Sequence, residues 1–153
     1  MIGELVRRVV ALERRVNGLV LPERPRWIDW TPTVSQGGAV AVTVTVARYM
    51  VLGDLAVVQA RLDVTGAGVA ASHIVIAGQP AAIQSANAAD AMMLGGAWVY
   101  DNGAALYVGA LVTMAVTDWR IICHNEVDFC GADPSFALTA GDAILLQAAY
   151  ERA

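Results

Sequence analysis

The sequence predicts a mainly β protein: a short N-terminal α-helical coiled coil (residues 1–20), a linker (21–30) and an antiparallel jelly-roll-like β-sandwich (31–153), assembled as a homotrimer. Three observations lead there. Apolar residues recur every third or fourth position before residue 20 and every second position beyond residue 39, and turns rich in Gly, Asn and Asp divide that second region into short strands. No other segment carries a helical period long enough for a βαβ unit, so the strands are expected to pair antiparallel. With 153 residues, 57% of them hydrophobic and 16% charged, the chain is too apolar for disorder and large enough for one domain to bury a core without staples.

In the stem, Ile2, Leu5, Val9, Leu12, Val16 and Leu19 occupy successive a and d positions of a heptad repeat. Gly18 weakens the last turn and Pro22 and Pro25 stop the helix, which should end near residue 20 at a length of about 30 Å. A helix this short is marginal alone in water, so its apolar seam needs partners. Arg8 at a g position and Glu13 at the next e position bring opposite charges together between parallel neighbours and set their register, each exposed pair contributing about 0.2–1 kcal/mol. Ile or Val at a with Leu at d favours two strands. Against that, Val6 and Val20 widen the apolar stripe, and Arg8-Val9-Val10-Ala11-Leu12-Glu13 fits the trimer-specifying order of Arg, apolar, two free positions, apolar, Glu. A trimer is expected, with a dimer or a helix packed on its own domain as alternatives. Trp27 and Trp30, directly after the stem, are expected to plug the base of the body around the symmetry axis.

Beyond the linker, Val40, Val42, Val44 and Val46 interleave with Thr43 and Thr45, the pattern of a strand with one buried face. Gly53-Asp54 then separates 48–52 from a strand in which Ala56, Val58, Ala60, Leu62 and Val64 point one way and Gln59, Arg61 and Asp63 the other, which predicts a hairpin. A second pairing, 97–100 with 105–112, is expected around Asp101-Asn102-Gly103, where Gly supplies the positive φ of a tight turn. Further strands are expected at 72–76, 119–123 and 143–150. The Ala-rich stretch 81–91 fits a helical turn or a surface loop. Trp98 and Trp119 fall inside strands and are expected in the core.

Every basic residue is Arg, and six of the ten lie in the first thirty residues against four acids, so that segment is +2 and the rest −6. An acidic body does not offer the concentrated basic face that nucleic acid requires. Charges interrupt any secretory leader, and the longest apolar run, 104–116, falls short of a bilayer span, so no membrane association is expected. Nucleophile-elbow, phosphate-loop, dinucleotide and zinc-helix motifs are all missing, and no cofactor or metal is expected. His73, in Ser72-His73-Ile74-Val75-Ile76, is expected to face solvent or a neighbouring chain. If 123–130 is extended, His124, Glu126 and Asp128 share one face and could hold a cation or sugar hydroxyls; a polar strand end or loop is the simpler reading. A Cys123–Cys130 bridge would require the segment to fold back, so buried free thiols are expected.

Trp30-Thr31-Pro32-Thr33, then Gln36-Gly37-Gly38, the Val-Thr strand into Ala47-Arg48-Tyr49, and Leu52-Gly53-Asp54 resemble a domain of tailed-bacteriophage structural proteins. Leu138-Thr139-Ala140-Gly141-Asp142-Ala143-Ile144, running into an Ala-Tyr-Glu strand, resembles that domain's closing strand, and the likeness covers about residues 27–152. The resemblance implies a trimeric, β-rich, non-enzymatic virion protein: a capsid decoration or short head fibre, with a minor tail or tail-fibre protein that binds a receptor or glycan as the alternative. A typical tail fibre is much longer, which favours the compact attachment. Its partners would be its own copies, phage capsid or tail proteins and a host-surface glycan. Its place would be the virion surface, after synthesis in the host cytoplasm. A glycan-cleaving enzyme would need paired carboxylates, for which Asp101, Asp118, Glu126 and Asp128 are the candidates.

Overall fold

The computed structural model describes residues 25–86, 92–124, 126 and 128–153. The stem residues Ile2, Leu5, Arg8, Val9, Leu12, Glu13, Val16 and Leu19 lie outside them.

Ten strands follow in chain order: β1 (Ile28–Asp29), β2 (Thr33–Ser35), β3 (Ala39–Val40), β4 (Val42–Leu52), β5 (Leu55–Val64), β6 (Val75–Ala77), β7 (Met92–Asp101), β8 (Ala105–Ala115), β9 (Asp118–Cys123) and β10 (Ala143–Glu151). One 3-10 turn, Ala81–Ile83, sits between β6 and β7. Among the described residues there is no α-helix, and no helix is long and apolar enough to cross a membrane.

The strands form one antiparallel sheet in the order β1-β4-β5-β10-β7-β8-β9-β6-β2-β3. Strands β7, β8 and β9 are a meander, and β10 returns over a long connection to pair with β7, a Greek key. Chain length dictates the curvature. Were the sheet flat, β1 and β2 would stand about 38 Å apart at ordinary strand spacing, yet only residues 30–32 join them. Ala41 alone joins β3 to β4, which the same flat sheet would separate equally far. The sheet therefore curls until its ends meet, and backbone bonds tie the seam: Trp30 N–H donates to Ala47 O (3.0 Å), and Thr65 and Gly66 N–H donate to Ala41 O (2.9 and 3.0 Å).

The concave face holds the core. Leu62, Val99, Leu111, Ile121, Ile144 and Ile76 are fully buried there. Trp119 on β9 reaches across the interior, edge-on to Trp30 (5.7 Å between centroids) and to Tyr150 on β10 (6.0 Å). Both hairpins form as expected. Leu52 stands opposite Leu55 about Gly53, whose φ of +60° occupies the first central position of a two-residue turn. Asp101 stands opposite Ala105 about Gly103, at φ +87°.

The sequence pattern misplaces two residues, Val46 and Trp98. Strand β4 does not keep one buried face: a bulge between Val44 and Val46 changes its phase. Val42 and Val44 pack inward, Val46 turns outward, and Ala47 and Tyr49 resume the inner face. Trp98 is not core, since it stands half-buried on the convex face beside Leu145. Trp30 is 7% exposed within its own body, edge-on to Trp119.

Candidate functional site

Two surfaces concentrate the side chains that could do more than support the fold: the long connection from β9 to β10, and the convex face of the sheet.

The connection is pinned at its start by a Cys123–Cys130 disulfide, which corrects the expectation of free thiols. The required fold-back takes place. Phe129 pairs with Ile122, Cys130 N–H donates to Ile121 O (2.7 Å), and Ile74 N–H donates to Cys130 O (3.0 Å). Further along, the fully buried Gln36 clamps the segment: its Nε2 donates to Phe136 O (2.7 Å) and its Oε1 accepts from Leu138 N–H (2.8 Å). A Cβ at Gly68 would stand 1.9 Å from Gln36 Oε1, so only glycine leaves room for the amide. Buried Asp142 closes the connection by accepting from Thr139 N–H (2.7 Å) and Asn102 N–H (2.8 Å). Neither Gln36 nor Asp142 showed in the sequence as a clamp, because a lone polar residue beside a glycine turn reads as surface.

His73 lies just before β6, between two charged partners. Arg120 Nη1 lies 3.1 Å from its Nδ1, and its Nε2 lies 3.2 Å from Asp128 Oδ1. Because a guanidinium only donates, Nδ1 accepts and the proton sits on Nε2, which donates to Asp128. Phe129 covers the group, edge-on to His73 at 5.1 Å and under Arg120 at 5.0 Å. Asp128 is held below the usual carboxylate range by the Phe129 N–H first and by His73 after it. With both ring nitrogens engaged, His73 fastens the connection to β9 and has no nitrogen left to serve as a base.

His124, Glu126 and Asp128 do not share a face. Asp128 turns to His73, whereas His124 and Glu126 line a groove of about 420 Å³ with Val108, Ala110 and Ile122. Glu126 is raised above its ordinary value by desolvation, then by the charge of Asp133 and a hydrogen bond to it. Among the described residues, no three His, Cys, Asp or Glu side chains stand together in a way that could hold a metal ion.

The convex face mixes apolar side chains with the polar Arg48, Gln59, Arg61, Asp63 and Gln147. Val46, Arg61, Leu145, Trp98 and Val108 stand directly opposite one another from β4 to β8, and such neighbours share a face. Beside this row, Tyr100 faces Leu106. Leu106, Val108 and Tyr100 are 58%, 48% and 44% exposed. A second groove of about 220 Å³ lies among Val46, Arg61, Trp98 and Leu145. Trp27, 42% exposed, lies at the β4 end with the Arg48 guanidinium 4.7 Å from its ring centre. Alternation alone could not reveal this row, since apolar residues on both faces of a strand resemble a doubly buried one.

Comparison with protein-family models, curated proteins and solved structures finds no match for this chain.

Proposed function

We propose that the protein is a non-enzymatic structural component of a tailed-bacteriophage particle: a homotrimer with a coiled-coil stem and a jelly-roll-like body, attached as a capsid decoration or short head fibre. The observation that carries this reading is the set of exposed apolar side chains on the convex face combined with the heptad pattern of Ile2 to Leu19. A monomer that leaves Trp98, Tyr100, Leu106 and Val108 half-exposed together on β7 and β8 has an association liability, whereas an assembling subunit has an interface. The body suits such a role. One curled sheet, clamped by Gln36, Asp142 and a disulfide, is a rigid block that presents surfaces. The stem arginines are suited to acidic patches on a capsid or tail subunit.

The alternative, a minor tail or tail-fibre protein binding a host glycan, draws support from the exposed aromatic Tyr100 beside Asn102 at the β7–β8 hairpin, an apolar ring next to a polar group (3.5 Å). Imaging of intact particles carrying a labelled copy of this protein separates the two readings. Label on the head supports the decoration, label on the tail supports the alternative, and its absence from purified particles removes both. Removing residues 1–20 is expected to abolish incorporation while the body stays folded.

A further inference from the structure

We infer that the apolar patch where the chain enters the body, formed by Trp27, Met50, Leu52, Leu55, Val57 and Ala149, is where copies of this chain meet beneath the stem. The inference rests on the self-assembling reading above and names its surface.

Register and alternation define the patch. Tyr49 and Val51, Ala56 and Val58, and Ala148 and Tyr150 face the core, so Met50, Val57 and Ala149 between them point outward. Met50 stands opposite Val57, Val57 opposite Ala149, and Leu52 opposite Leu55; directly opposed residues share a face. Trp27 joins them from the strand edge. It precedes Ile28, which pairs with Tyr49, and its ring lies 4.7 Å from the guanidinium of outward-facing Arg48. At the hairpin tip Leu52 and Leu55 are each 41% exposed. Polar residues border the patch: Asp54 and Glu151 at the tip, and Arg48, Gln59 and Gln147 across the next row. The tip is also held in place, because Arg152 donates from its backbone N–H to Asp54 O (2.8 Å) and from Nε to Gly53 O (2.9 Å). The surface is therefore preformed.

The direction of the entering chain points to the occupant. Strand β1 runs antiparallel to β4, so the residues before Ile28 run back toward the hairpin, and the chain before residue 25 departs from this end of the body. Five residue steps separate Val20, the last apolar residue of the heptad stripe, from Pro25, which is at most about 18 Å of chain. Copies joined through Ile2 to Leu19 would hold their patches within one short linker of a common axis.

The two contacts need each other. A stripe of three heptads is marginal alone, and the patch falls far short of the roughly 20–30 residues a side of a standard interface. Connected by so short a linker, each contact makes the other intramolecular and raises its effective concentration.

The chain's only two cysteines are bonded to each other, so one introduced at the tip is the sole free thiol. In the full-length Leu52→Cys variant, a short bis-maleimide is expected to give covalent dimers on a denaturing gel. Val69→Cys, at a position 55% exposed but beyond the far end of β5, is expected to remain a single chain. In sedimentation equilibrium, Leu52→Asp/Leu55→Asp is expected to raise the trimer's dissociation concentration on the order of tenfold or more, because like charges would face one another across the axis. Val69→Asp should leave that concentration unchanged. A trimer in which position 52 fails to couple, or which the paired aspartates leave unchanged, overturns the patch and leaves the trimer standing. Equal coupling at positions 52 and 69 reports random collision and overturns the patch as well. An intact chain that sediments as a monomer overturns both.

Discussion

The two faces of one sheet are built to different rules. The concave side is filled by large rings and branched side chains that interlock across the interior, with Trp119 against Trp30 and Tyr150. The convex side alternates bulk with absence: Trp98 lies over Gly96, where an added Cβ would stand 3.3 Å from the indole, and Val108 projects beside Ala110. The concave face is apolar and filled by its own chain, whereas the convex face sets Trp98, Leu145 and Val108 among polar residues such as Arg61 and Gln147. Hydrophobicity alone therefore does not distinguish a core from an interface; what distinguishes them is whether the same chain supplies the other half.

That contrast breaks most readily at Trp119. Trp119→Ala removes the ring that bridges β9 to β10 and to Trp30, and is expected to lower unfolding free energy by about 3–5 kcal/mol, read from a urea midpoint. Gln36→Ala leaves Leu138 N–H and Phe136 C=O without their partner, for an expected loss of about 2–3 kcal/mol. Replacing Cys123 and Cys130 together by alanine opens a short loop at the start of the β9–β10 connection, with an expected loss of about 2 kcal/mol. Trp98→Ala, on the outer face, is expected to cost under about 1 kcal/mol in the isolated chain while weakening self-association. Equal losses of stability at Trp98 and Trp119 would erase the distinction between the faces.

How far the residues announced all this varied with range. The hairpins about Gly53 and Gly103 were legible because turn chemistry is local, and so was the alternation of β5 from Ala56 to Val64. The reversal of face at Val46 was not, because a bulge adds one residue without changing composition. The Cys123–Cys130 bridge depends on a fold-back set by Ile74 and Ile121, which no spacing rule contains. His124, Glu126 and Asp128 looked collinear only if extended, and the disulfide prevents that. The pairing of His73 with Asp128 and Arg120 joins three separate segments, so it could emerge only with the topology.

The smallest expected effects concern pH, and they oppose one another. Asp128 is held below its ordinary 3.8, so its contribution to stability is complete above that value and is lost as pH falls through the lower folded value. Asp128→Asn should flatten the acid limb of a stability–pH curve. Glu126 lies above its ordinary 4.5, so its ionisation opposes folding, and the penalty fades as pH falls through the raised folded value. Glu126→Gln should remove that recovery. Thermal melts taken from about pH 2 to about pH 6, on both sides of the ordinary carboxylate range, check both signs.

Self-association is the property on which the distinction between the faces depends, and sedimentation equilibrium of the intact chain at micromolar concentration measures it most directly. The expected result is a mass three times that of the 16.1 kDa chain. A single species at 16.1 kDa would contradict it, leaving the outer row of Trp98, Leu145 and Val108 as ordinary surface.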